Sequence, residues 1–153
     1  LAEITVTVDW SRGSDAFLDN RYSRVHRWRF DGGSEVAASS SPHIVAVPMS
    51  DPSAIDPEEA FVVSLSSCHM LWFLSIAARR GLLVNRYIDR AVGEMGKRED
   101  GKLVMTTVRL RPEIDWGGSI PSAETVAEIH HQAHEECFIA NSVRTKISIE
   151  PVL

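Results

Sequence analysis

Two cysteines, Cys68 and Cys137, and three histidines close to them in the chain, His69, His130 and His134, are the residues whose types and spacing could do chemistry. Cys68 lies in "SSCHMLWFL" at positions 66–74, amid residues that read as a long apolar helix. A cysteine there is either a small core hydrophobe or a thiol kept for reaction, since free cysteine is among the most buried residue types. A thiol reacts as its thiolate, which needs an arginine, a lysine, a protonated histidine or a helix N-terminus beside it. Cys68 falls in mid-helix, so no helix end can supply that charge. Candidate cations are Arg24, Arg27 and Arg29 in "RYSRVHRWRF", and Glu58 is a candidate carboxylate to fix one of them.

The histidines offer a competing constellation. His130 and His134 are one helical turn apart and Cys137 follows, a spacing that could ligate zinc or another soft metal, with His69 as a further donor. The two cysteines are too far apart in sequence for a local C-x-x-C site. No nucleophile elbow, Walker loop, dinucleotide fingerprint or H-E-x-x-H occurs, which leaves hydrolase, nucleotide and zincin chemistry without support.

These residues must be positioned by one modest domain. The chain has 153 residues, 44% hydrophobic and 24% charged, enough apolar content for a single core across residues 1–153. Sixteen basic against twenty-one acidic residues give a net charge of -5, which argues against nucleic acid or an anionic membrane as a partner. No run approaches eighteen consecutive apolar residues, and "LAEITVTVDW" alternates like a strand instead of opening like a secretory leader. The expected location is therefore the cytoplasm, where a permanent structural disulfide is disfavoured.

Ile4–Val8 and residues 21–30 alternate with the period of strands, the latter placing Arg24 on one face with Tyr22, His26, Trp28 and Phe30. "DGG" at 31–33 predicts a hairpin turn and "EVAASSSPHIVAV" a further strand. "DPEE" then offers an Asp56 N-cap, Pro57 at the first helical position and acids behind it. A helix over about 57–80 follows, with Phe61, Leu65, Cys68, Trp72 and Ile76 on its apolar face and Gly81 as its stop. Residues 87–115 read as two strands joined at "REDG", and a second helix from near Ser122 carries Val126, Ile129, Ala133 and Cys137. A closing strand alternates through Val143, Thr145, Ile147 and Ile149. Helices that interrupt a meander predict an α+β fold with largely antiparallel sheets. If the two helices pack together on their apolar faces, the thiols become neighbours. Phe61, Leu65, Leu71 and Trp72 are then candidates to line an apolar pocket at Cys68, although core packing accounts for them equally.

With "DPEEAFVVSLSSCHMLWFL" and "AHEECFIANSV" both in view, the chain resembles the OsmC/Ohr family of osmotically inducible and organic hydroperoxide resistance proteins. The Pro-Glu at the helix start, a cysteine ten residues after that glutamate, a second cysteine near the end of another helix and a following "ANS" carry the resemblance, which covers most of the chain. The spellings "SSCHML" and "YSRVHRWRFDGG" are similar to an OsmC-like branch more than to Ohr members. The resemblance implies an intertwined homodimer with the long helix central. It further implies a peroxidase that reduces organic hydroperoxides to alcohols, with Cys68 attacking, Cys137 resolving through a disulfide, and Arg24 and Glu58 beside the reactive thiol. Arg27 is the alternative arginine. An external dithiol, lipoyl-type by analogy, would reset the pair without a bound cofactor. The rival from another class is a non-catalytic ligand- or metal-binding dimer with structural cysteines. Ten helical residues hold Glu58 about 15 Å from Cys68 along the axis. Within one subunit Glu58 reaches Cys68 only if the helix breaks or an arginine bridges the gap, and a partner chain is the other candidate source of Glu58 and Arg24.

Overall fold

The computed structural model describes residues 1–153. The chain divides into two compact units, Leu1–Ala60 and Phe61–Leu153. In the first, strands β1 (Val6–Asp9), β2 (His26–Phe30) and β3 (Glu35–Ala38) form an antiparallel sheet in that order. Val8 pairs with Trp28, and Trp28 with Val36. The β2–β3 turn closes at Gly33, whose φ of 93° few other residues adopt and whose N–H donates to the Phe30 carbonyl at 3.0 Å. Val6, Val8 and Phe30 are all exposed, and the buried residues here are Ala38, Ser39, Ser41, Ser50 and Asp56. This sheet therefore has almost no apolar core of its own.

Two sequence expectations are corrected in this unit. Residues 21–25 are not part of the second strand, so Arg24 lies in the loop before β2. The loop's backbone is committed elsewhere: the Arg24 N–H donates to the Met49 carbonyl at 2.7 Å and the Ser23 carbonyl accepts from the Trp10 indole at 2.9 Å. The third strand likewise stops at Ala38, because the serines after it satisfy backbone groups in turns. Ser39 Oγ accepts from the Asp51 N–H at 3.0 Å, and Ser50 Oγ donates to the Val45 carbonyl at 2.6 Å.

Helix α1 (Pro57–Arg79) starts as its sequence requires. Asp56 Oδ1 accepts from the Glu59 N–H at 2.8 Å while Glu59 Oε2 accepts from the Asp56 N–H at 3.1 Å, a reciprocal capping box. Gly81, at φ 75°, ends it.

In the second unit, strands β4 (Leu83–Asp89) and β7 (Pro112–Gly117) pair antiparallel, and β5 (Val92–Lys97), β6 (Leu103–Leu110) and β8 (Lys146–Ile149) form another sheet. The segment read as two strands thus contributes four. Only β5–β6 is the local hairpin at "REDG", and β8 joins β6 in parallel. Helix α2 (Ala123–Glu136) is capped by Ser122, whose side chain accepts from the Thr125 N–H at 3.1 Å. Phe73, Ile76 and Ala77 of α1 bury against Ile129 and Ala133 of α2, flanked by Tyr87, Ile114 and Trp116. Leu65 buries with Val108 and Leu110 of β6, flanked by Ile139, Val143 and Ile147. By length and composition alone α1 could cross a membrane, yet two apolar clusters of its own unit pack on it. The whole is α+β, with two main helices and largely antiparallel sheets.

Candidate functional site

The buried stripe of α1 is Leu65, His69, Phe73, Ile76 and Ala77. The expected face through Phe61, Leu65, Cys68, Trp72 and Ile76 shares Leu65 and Ile76 with it, but His69 and Phe73 stand where Cys68 and Trp72 are expected. His69 thus occupies the core at 1% exposure, while Cys68 sits at its edge, half-buried. Cys137 closes α2 as its C-cap residue and is 1% exposed.

Both thiols are free, and Cys68 is near enough to Cys137 to raise its pKa where α1 meets the end of α2. Burial pushes the Cys137 thiol up to about 11, and its neighbour Cys68 adds to the rise. The Ala140 N–H, which donates to Cys137 Sγ at 3.4 Å, pulls the other way. At neutral pH Cys137 therefore rests as a thiol. The ring of Trp72, one turn after Cys68, meets that of Phe138, next to Cys137, edge to face at 5.6 Å.

The expected apolar lining is only partly present. Leu71 is 61% exposed, as its position on the outer side of α1 dictates, and Leu65 belongs to the β6 core. Phe61 instead lines an open groove of about 700 Å³ with Val104, Met105, Val143, Arg98 and Arg144. Phe138 was not foreseen; its place directly after Cys137 was the available signal.

Arg24 and Glu58 are not joined to each other. The Arg24 guanidinium lies over the Tyr22 ring at 3.6 Å from its centre. It donates to the Tyr22 carbonyl, to the Asn20 carbonyl at 3.2 Å and to Asn20 Oδ1 at 3.1 Å. Glu58 Oε2 is buried with no hydrogen-bond partner. Arg27 is exposed on β2. Helix α1 runs unbroken from Pro57 to Arg79, so the separation of about 15 Å along its axis between Glu58 and Cys68 stands.

His130, expected at the solvent edge or in a metal set, is 3% exposed. Its Nδ1 lies 3.0 Å from His69 Nε2, the two rings stacked 8° from parallel. Burial lowers His69 to about 3, with His130 and His134 adding like-charge repulsion, and burial lowers His130 to about 4. No group of three or more histidine, cysteine or acidic side chains is placed to hold a metal ion.

The model of the family described as OsmC-like protein matches residues 50–152. Among solved structures, an OsmC-like protein of unknown function from Vibrio cholerae is 52% identical with a TM-score of 0.97, over 99% of this chain and 100% of that one. The organic hydroperoxide resistance protein of Elizabethkingia anophelis is 17% identical with a TM-score of 0.72, over 99% of this chain and 94% of that one. That of Bacillus subtilis is also 17% identical, with a TM-score of 0.71 over 99% and 98%. At that identity the likeness is one of fold. No curated protein matches the chain.

Proposed function

The chain belongs to the OsmC-like family, and from that premise we propose that it is a cysteine-based peroxidase reducing organic hydroperoxides to alcohols. The observation that carries this reading is the meeting of Cys68 and Cys137, remote in sequence, at one seam. Their environments differ as the two roles require: Cys68 is accessible enough to meet a substrate, and Cys137 is buried and protonated at rest.

The Cys68 thiolate attacks the distal peroxide oxygen. The O–O bond breaks, the leaving alkoxide takes a proton to become the alcohol, and Cys68 becomes a sulfenic acid. The Cys137 thiol then attacks the Cys68 sulfur; the S–S bond forms and the hydroxyl departs with the Cys137 proton as water. An external dithiol, lipoyl-type by family analogy, returns two electrons and two protons, a cycle suited to the reducing cytoplasm.

Arg24 and Glu58 complete the reading as the groups that favour the thiolate and orient the peroxide. The guanidinium is held on its own loop, and one Glu58 oxygen is buried without a partner. Both facts support a homodimer in which a partner copy brings an arginine and a carboxylate to each thiol pair. The bare β1–β2–β3 sheet supports it as well, because a sheet without a core needs a surface to cover it.

The test is thiol counting. One equivalent of cumene hydroperoxide should remove two free thiols per chain, a dithiol should restore them, and hydrogen peroxide should act more slowly. Untouched peroxide with both thiols intact would sink the proposal.

A further inference from the structure

The seam that joins the thiols also holds a pair of side chains that the peroxidase chemistry does not use. His69 and His130 are buried imidazoles bonded to each other at 3.0 Å, with the Phe73 ring 4.4 Å from that of His130. A neutral imidazole has one donor and one acceptor nitrogen. Whichever ring donates within the pair, one outer nitrogen is left a donor and the other an acceptor. Both outer atoms, His69 Nδ1 and His130 Nε2, are buried without a partner. Each such atom loses its bonds to water on burial and gains none in return. Apolar rings would fill the same volume without that cost, as Phe73 does one turn along α1.

What an imidazole pair adds to volume is a fixed distance and a fixed register. His69 directly follows Cys68 on α1. Cys137 is seven residues after His130, two turns along α2 on nearly the same face, with a drift of about 20°. The apolar packing of Phe73, Ile76 and Ala77 on Ile129 and Ala133 holds the helices together without directional bonds, and the remaining polar and aromatic ties are looser. Arg80, just past α1, meets Glu128 at 3.1 Å, but both are exposed and such pairs contribute little. Trp72 meets Phe138 through an edge contact that can slide. A disulfide, by contrast, accepts only a narrow range of backbone separations and torsions.

We propose that the His69–His130 hydrogen bond is the positioning device of the Cys68–Cys137 pair, fixing the register of α2 on α1 and thereby the reduction potential of the disulfide. It rests on reading the thiols as a redox couple. Neither histidine acts on a sulfur directly; both act through helix register.

The test equilibrates the intact protein with reduced and oxidised dithiothreitol at pH 7 and counts thiols, so that each disulfide formed delivers two electrons and two protons to the oxidised dithiothreitol. His69→Phe and His130→Phe should weaken the disulfide at least tenfold, an upward shift of about 30 mV. His130→Gln, which still donates and accepts, should recover most of the loss. Ile129→Val, a core truncation on the same helix, should lower stability and leave the disulfide equilibrium unchanged. Should a phenylalanine variant not fold, His130→Asn, too short to reach His69, takes its place against His130→Gln. Histidine variants within twofold of the parent, or an equal shift in Ile129→Val, would overturn the proposal. No peroxide enters this measurement, so a chain that shows the histidine dependence but consumes no hydroperoxide refutes the peroxidase reading alone.

Discussion

The Arg24 guanidinium stacks 3.6 Å above the centre of the Tyr22 ring, held there by two acceptors on Asn20. In the proposed peroxidase this forked guanidinium is the donor to the peroxide oxygen and the thiolate. Arg24→Ala should lower kcat/KM for cumene hydroperoxide about a hundredfold, the usual cost of one oriented donor. Arg27→Ala, on the exposed face of β2, should change it less than twofold. The reverse ranking in steady-state kinetics would move the role to Arg27.

The two cysteines should fail differently. Cys68→Ser should abolish hydroperoxide consumption. Cys137→Ser should complete one turnover and stop at a Cys68 sulfenic acid, which excess peroxide drives to sulfinic acid, both visible by mass spectrometry. The opposite pattern would exchange attacking and resolving roles.

Acid should loosen the fold through the imidazole pair. His69 and His130 are held at about 3 and about 4, below the ordinary value of 6.5. Between those values and 6.5 the unfolded chain binds more protons, so stability falls as pH drops below 6.5 and is unaffected by these groups above about pH 7.5. Urea unfolding at pH 7.5 and pH 5 should differ by about 4 kcal/mol from this pair, and His130→Phe should roughly halve the difference.

Strand β5 approaches α1 closely at Gly93. An added Cβ would fall 2.5 Å from Val62 Cγ2 and 2.7 Å from Met105 Cε. Gly93→Ala should destabilise the protein by about 1 to 3 kcal/mol in urea unfolding, whereas a loss under 0.5 kcal/mol would mean that α1 shifts freely.

The fold was most legible where local chemistry decides it. The capping box at Asp56 and Glu59, the stop at Gly81 and the Ser122 cap all follow from side chains acting on their own backbone. That α1 and α2 pack together was legible too, because each carries an apolar face, although Cys68 lies at the edge of that face and not on it. Arg24 was misplaced because residues 22–30 alternate like a strand although 21–25 are irregular, following Asn20 left-handed at φ 61°. His69 was hidden for another reason. Helix α1 is apolar nearly all round, so periodicity does not say which stripe faces inward, and between Leu65 and Ile76 the true stripe lies one residue from the expected one. The pairing of β4 with β7 joins segments separated by a whole hairpin, which local pattern cannot reveal.

The two sulfurs also differ in freedom to move. Cys68 is the midpoint of an unbroken helix, whereas Cys137 stands where α2 lets go, its backbone already extended at φ -65° and ψ 111°. Drawing the sulfurs into a bond therefore displaces the chain around Cys137, and Phe138, two-thirds exposed, travels with it. In the proposed cycle, the position of the Phe138 ring at the surface therefore reports which state the two sulfurs are in.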